Sequence, residues 1–398
     1  MKIGVLFEGD IRKPGGFYQS LNSALLLKEI RDEKFKIEFI TLDKITTKIL
    51  SKKKLKSKLY KISFLEKVFN IFFNSEFFKK IIINKNIDHP FTKFILRNKF
   101  DLIIFLSPHA LCQHCGPVNF IINIWDLDHK KNSIYFEHRE NYNFLKREEL
   151  INYVIYHSTK IIVADDKTKD DLIKIYNTPE KTISVQPFIP MLPKLYSKDK
   201  LELYKSLFKE FNLPNKKIIL YPATFWEHKN HKYILEAALI LKQKQIDEYC
   251  FVFCGNDKGN LHKIESAILS LELKKQVKIL KSLSDEQLIS IYLNSFTVCM
   301  PTTGGPTNLP IYEAFYFKKP IFYSDNLLAK NDQLNDLIIP INLDDPNDLA
   351  QKLENFSINN EKKKVERAFE FYKEICSSER YKQKYHSLIS NFLKQKNL

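Results

Sequence analysis

Short runs of β-branched and aromatic residues recur along the chain at intervals filled by helical patterns, and this alternation dictates a mostly parallel sheet covered by helices. In the first half the runs are KIGVLF, KIEFIT, DLIIFL, NFIINI, KIIVA and TISVQPF. DDKTKDDLIKIY supplies one of the helices, with an Asp as its cap candidate. Prolines 187, 190 and 193 then break the pattern, and Lys194 to Lys217 reads as a linker with a short helix. The alternation restarts with KIILY, CFVFC, VKIL, FTVCM and PIFYS. The segment SDEQLISIYLN opens on a capping box, Ser284 with Gln287 three residues later. The expected fold class is therefore α/β, with two Rossmann-like domains facing each other across a cleft. The expected boundaries are 1–193 for an N-terminal domain, 194–375 for a C-terminal domain, and 376–398 for a Lys-rich helix free to pack back on the first domain.

A chain of 398 residues is long for one domain and comfortable for two, and 44% hydrophobic residues with 13% aromatics exclude a disordered chain. No apolar stretch approaches the roughly 20 residues that cross a bilayer. The segment from Met1 to Asp10 reads as a first strand rather than a signal peptide, so a cytoplasmic location is expected. Six cysteines do not make a disulfide framework here. The CQHC run at Cys112 to Cys115 has metal-like spacing, but no second pair completes a four-ligand site. The net charge of +16 is concentrated between Lys44 and Lys85, where twelve Lys face two Glu. Lys alternates there with Leu, Phe and Ile. That pattern fits either a solvated helix pair or a surface that meets anionic lipid, on the inner face of a membrane; nucleic acid is the least expected partner.

Only nine glycines occur, and four of them form two pairs, Gly15–Gly16 and Gly304–Gly305. Each pair follows a strand-like run and precedes an amphipathic one. In PTTGGPTNLPIYEAF, Pro310 suits a first helical turn, so the amides of Thr307, Asn308 and Leu309 are expected to be exposed at a helix N-terminus, where phosphate is the usual anion. Glu313 lies one turn further in, at the distance of a nucleotide's ribose, although an acidic residue in a helix's first turn is also favoured by the dipole alone. Lys229, in YPATFWEHKNHKYILEA, stands at a turn from which it reaches the same diphosphate. His228 and His231 have HxxH spacing without a third ligand.

These residues resemble the glycosyltransferases of family four, which have the GT-B fold of two facing Rossmann-like domains. The likeness covers nearly the whole chain, through PGGFYQSLNSALLL, WDLDHKKNSIYFEHRENYNFLKREE, YPATFWEHKNHKYILEAA and GGPTNLPIYEAFYFKKPIFYSD. The GPTNLPxxEA and FWxHKNH forms look like the subset that builds bacterial surface polysaccharides. The resemblance implies that Lys229 and the amides of Thr307, Asn308 and Leu309 hold nucleotide-sugar phosphates, beside Gly304 and Gly305, and that Glu313 holds ribose. It puts Gly15 and Gly16 on an N-terminal loop near the donor phosphates and the acceptor, and the base near Gly255 and Lys281 to Leu283. Two positions depart from the family: the first glutamate of its pair falls at Gly305, and a basic residue often found before the Lys is Thr224.

The implied activity is a retaining transfer of a sugar from a nucleotide diphosphate to a hydroxyl of a glycan or lipid-linked acceptor. No cofactor and no metal are expected. Asp126 and Asp128 form a DxD pattern, which a metal could use elsewhere, but the phosphate site is expected in the other half. Asp126 instead occupies a strand end where the family has an acceptor-side His or Asp, leaving a catalytic role and a structural cap both open. An inactive GT-B scaffold, or a sugar-nucleotide epimerase of the same fold, are the alternative functions.

Overall fold

A computed structural model describes residues 1–7, 14–63, 88–135, 139–304, 309–328 and 333–396. The chain divides into two compact units, one of residues 1–189 with 378–398 and the other of residues 190–377.

The first unit holds a seven-stranded parallel sheet in the order β3-β2-β1-β4-β5-β6-β7. Its strands are β1 (Lys2–Phe7), β2 (Lys36–Thr41), β3 (Ser57–Leu59), β4 (Leu102–Phe105), β5 (Asn119–Asn123), β6 (Lys160–Val163) and β7 (Ile183–Val185). The central strands are apolar over most of their length because helices cover both faces. β1 and β4 pair with Ile3 opposite Leu102, and their Ile3, Val5, Ile103 and Ile104 are fully buried. The helix after β6 is capped as its sequence predicts: Asp165 accepts from the Thr168 amide at 2.7 Å.

The second unit holds a six-stranded parallel sheet in the order β10-β9-β8-β11-β12-β13. Its strands are β8 (Lys217–Pro222), β9 (Tyr249–Cys254), β10 (Val277–Leu280), β11 (Thr297–Met300), β12 (Ile321–Ser324) and β13 (Ile339–Ile341). The helix Asp285–Asn294 opens with both arms of the Ser284–Gln287 capping box in place.

The structure corrects the sequence reading in four places. Two edge strands carry no periodicity that could reveal them: β3 is three residues inside a Lys-rich run, and β13 carries Pro340. Both lie at sheet edges, where Lys and Pro are tolerated. The segment expected as a linker at the start of the second domain is packed structure of that unit. Its helix Leu201–Glu210 packs on Asp285–Asn294 and buries Tyr204. Gly15 and Gly16 lie in the first turn of the helix Pro14–Glu29, not on a loop, because Pro14 starts a helix readily. Of the basic stretch, residues 64–87 lie outside the described residues; its beginning forms the helix Lys44–Lys52 and β3 rather than a helix pair.

Candidate functional site

In the second unit the strand order reverses between β8 and β11, and in open parallel sheets ligands bind beyond the carboxyl ends of the strands at that reversal. The segments leaving these two strands are tied to each other. The carbonyl of His228 accepts from the Thr303 amide at 2.9 Å and from the hydroxyls of Thr302 and Thr303 at 3.2 and 3.1 Å. Thr302 also reaches the carbonyl of Gly304, at 2.8 Å.

Lys229 is thereby held beside the 302–304 turn. It ends a short 3-10 turn, Glu227–Lys229, and its carbonyl accepts from the buried Tyr221 hydroxyl at 2.6 Å. Asn230 then takes a left-handed conformation, φ 51°, before the helix His231–Gln243 begins. Asn is one of the few side chains that tolerates this region, so the KN dipeptide suits the turn.

A third segment joins them. Gly255, just past β9, lies so close to the β8 segment that a Cβ there would fall 2.1 Å from the carbonyl oxygen of Ala223 and 2.9 Å from the Thr224 Cα. Phe225 donates its amide to the Asn256 carbonyl at 3.0 Å. The bare backbone at Gly255 is therefore required by the neighbouring chain.

Gly304 is buried, while Gly305, Thr307 and Asn308 lie outside the described residues. Leu309 is the first residue of the helix Leu309–Tyr316, where an amide has no intrahelical acceptor. Glu313, one turn on, is 8% exposed, and the Tyr292 hydroxyl donates to its Oε2 at 2.8 Å. Burial pushes the Glu313 carboxyl up to about 7, against the lowering effect of the Tyr292 hydroxyl. A carboxylate in such a place costs stability, which is a mark of functional positions. In the unfolded chain Glu313 ionises near 4.5 and in the folded protein near 7, so the folded state holds its proton more tightly across that window. Stability from this group is full below the lower value and fades as pH rises through the upper one. Glu313→Gln is therefore expected to melt at a higher temperature relative to wild type at about pH 8 than at about pH 5. A melting difference that does not change with pH would refute the raised pKa.

In the first unit, Asp126 follows β5. Arg147 pairs with its Oδ1 at 2.5 Å and donates to its carbonyl at 3.1 Å, and the Asp128 amide donates to the same Oδ1 at 3.0 Å. Burial raises the Asp126 carboxyl, but the Arg147 guanidinium more than offsets this and holds it below the ordinary carboxylate range. The next residues are bolted down as well: His129 is buried against Glu148 at 2.9 Å, and Lys130 and Tyr176 reach the same carboxylate. Asp126 is thus an ionised, oriented carboxylate that also accepts from the first amide of the short helix Asp128–Lys131. Sequence reasoning gave no hint of Arg147, which lies 21 residues away.

Gly16 faces Trp125. A Cβ at Gly16 would sit 2.6 Å from the indole ring, so the space that the glycine leaves is filled by Trp125. The other motif residues fall to packing. His231 is fully buried in a cage of Tyr221, Phe225 and Phe253, with ring centroids at 4.7, 4.9 and 5.1 Å, and burial brings its pKa down to about 3. Cys112 and Cys115 are buried thiols raised above their usual range. Lys281 pairs with Glu265 at 2.6 Å. Among the described residues, no three of His, Cys, Asp and Glu gather as a metal-holding group, and no helix is long and apolar enough to cross a membrane.

Residues 204–370, most of the second unit, match the family model described as Glycosyl transferases group 1. No curated protein sequence matches the chain. Among solved structures, a glycosyltransferase from Rickettsia africae ESF-5 is similar at 16% identity and a TM-score of 0.71, with 99% of this chain and 98% of that one covered. Anabaena Alr3699/HepE, solved in complex with UDP-glucose, is similar at 14% identity and a TM-score of 0.72, with 98% and 100% covered. Sucrose-phosphate synthase from Thermosynechococcus elongatus follows at 13% identity and a TM-score of 0.71, with 99% and 100% covered. The fold is GT-B, shared with these solved glycosyltransferases, and its second unit carries the match to the group 1 model.

Proposed function

We propose that the protein is a retaining glycosyltransferase that takes a sugar from a nucleotide-diphosphate donor and transfers it to a hydroxyl of a glycan or lipid-linked acceptor in surface polysaccharide synthesis. The observation that carries this reading is the knot between the Lys229 turn and the 302–304 turn at the reversal of the second sheet. Breaking the bond from the anomeric carbon to the phosphate oxygen leaves a diphosphate with added charge. In this reading Lys229, with the amides at Leu309 and the preceding Thr307 and Asn308, meets that charge, Gly304 and Gly305 let the diphosphate approach, and Glu313 accepts the ribose hydroxyls. The bound UDP-glucose of the Anabaena neighbour supports a nucleotide-sugar donor.

Asp126, aligned by Arg147, is the acceptor-side group in this scheme, with Gly15 and Gly16 in the first turn of the helix Pro14–Glu29, where Gly16 meets the neighbouring Trp125. No metal is needed, because the lysine and the amides supply the positive charge. The test is purified protein with a panel of nucleotide sugars, scored for release of nucleotide diphosphate with and without acceptor glycan and with EDTA. Release that persists in EDTA and rises with acceptor is the expected outcome. Silence in EDTA with rescue by manganese would move Asp126 and Asp128 into a metal role.

The basic stretch fits an anionic membrane surface, which a lipid-linked acceptor would require of a cytoplasmic enzyme. Lys52, Lys53, Lys54 and Lys56 are all exposed around the buried Leu55, beside a cavity of about 900 Å³ whose lining mixes Lys28, Arg31 and Lys34 with Asp32, Glu33 and Glu38. Each Lys near such a surface is worth roughly 1 kcal/mol, screened by salt. The protein is expected to sediment with phosphatidylglycerol vesicles at low salt, and changing these four Lys to Glu should release it while donor hydrolysis persists. Wild-type protein that stays in the supernatant would leave the charge as a solvated face.

A further inference from the structure

The helix Ser378–Lys396 belongs to the first unit and buries Tyr381 and Tyr385 there, their rings 5.0 Å apart. The two tyrosines reach different elements. Tyr381 is buried on a helix that packs against Pro14–Glu29, the helix that carries Gly16. The Tyr385 hydroxyl donates to Asn123 Oδ1 at 3.3 Å. Asn123 is the last residue of β5, two before Trp125, and its other end is also used: Nδ2 donates to the Phe105 carbonyl, at the end of β4, at 2.8 Å.

The helix Pro14–Glu29 and the end of β5 therefore share one strut, and they meet at the contact of Gly16 with the Trp125 ring. Among the described residues, the buried Nε1 of Trp125 finds no hydrogen-bond partner to fix the ring. The ring's orientation depends on the two elements between which it lies. The adjacent Asp126 shares that dependence through the backbone.

We propose that Tyr381 and Tyr385 are positioning residues: they clamp the Gly16 helix and the β5 end to the C-terminal helix, and so set the geometry of Trp125 and Asp126. The consequence for turnover rests on the acceptor-side reading of Asp126; the clamp itself does not.

The chain has two tryptophans, so in a Trp226→Phe background Trp125 reports alone. Tyr385→Phe keeps the ring and removes one hydroxyl. It is expected to raise the acrylamide quenching constant of Trp125 about twofold or more, the low end of what one lost hydrogen bond does to a local opening. The melting temperature should move by no more than about 4 °C, as for a loss near 1 kcal/mol in a unit of this size. With Trp226 restored, the affinity for UDP measured by calorimetry should be unchanged, while turnover on an accepted donor falls. Unaltered quenching in folded Tyr385→Phe overturns the clamp. Should that variant fail to fold, Tyr381→Leu trims the other ring of the clamp instead, and the same quenching result decides. Raised quenching with unaltered turnover would support the clamp and overturn the acceptor-side role of Asp126.

Discussion

Lys229→Ala is expected to lower turnover by about 10²-fold, because a preorganised positive group aimed at developing charge is worth that much in a water-poor site. The fold should survive the change. Lys229 is held through its backbone, by the Tyr221 hydroxyl on its carbonyl and by its own amide donating to the Trp226 carbonyl at 3.2 Å, and neither bond needs the side chain. Initial rates of nucleotide diphosphate release, with circular dichroism to check folding, measure this. Turnover within twofold of wild type would remove Lys229 from the phosphate site. Lys229→Arg keeps the charge but changes its shape, from a compact ammonium to a planar fork, and should recover only part of the rate.

The second large effect is structural. Gly255→Ala adds a single methyl, yet that carbon would lie 2.1 Å from the Ala223 oxygen and 2.7 Å from its carbonyl carbon. These are backbone atoms of a strand end, so no rotamer change relieves the clash. The ends of β8 and β9 must part, and the hydrogen bond from Phe225 to Asn256 goes with them. A cost of about 3 kcal/mol or more is expected, the scale of forced overpacking in a core. For a unit of this size that is a fall in melting temperature of roughly 6–12 °C. Thermal melts of the purified variant measure it, and a shift under about 2 °C would show that the strand ends give way freely. Because the Lys229 turn leaves the same strand, turnover should fall along with stability.

Much of the fold was legible because buried parallel strands leave an unmistakable trace: KIGVLF or CFVFC has no solvent face to blur it. β3 and β13 escaped because an edge strand is half solvated and can hold Lys or Pro, the residues that sequence reasoning counts against a strand. At the site, the spacing of Lys229, Gly304 and Glu313 was readable because strand ends and helix starts are fixed by their neighbours. What joined them was not. The bonds from Thr302 and Thr303 to His228 cross more than seventy residues, and Arg147 reaches Asp126 from another helix. Gly16 shows a packing demand that the motif did not reveal. Its missing side chain makes room for Trp125, and composition alone could not say which neighbour needed the space.

The first unit is assembled from both ends of the chain, with the whole of residues 190–377 inserted between its parts. During synthesis the second unit is therefore complete before the first can be. With chain growth at roughly 5–20 residues per second, the sheet β1 to β7 waits on the order of ten seconds or more for the helix that finishes it. Until Tyr381, Tyr385, Ile389 and Phe392 arrive, the apolar surface they will cover stays open. That interval is when the nascent chain is most exposed to wrong partners. A premature stop after residue 377 would leave a finished second unit tethered to an unfinished first one.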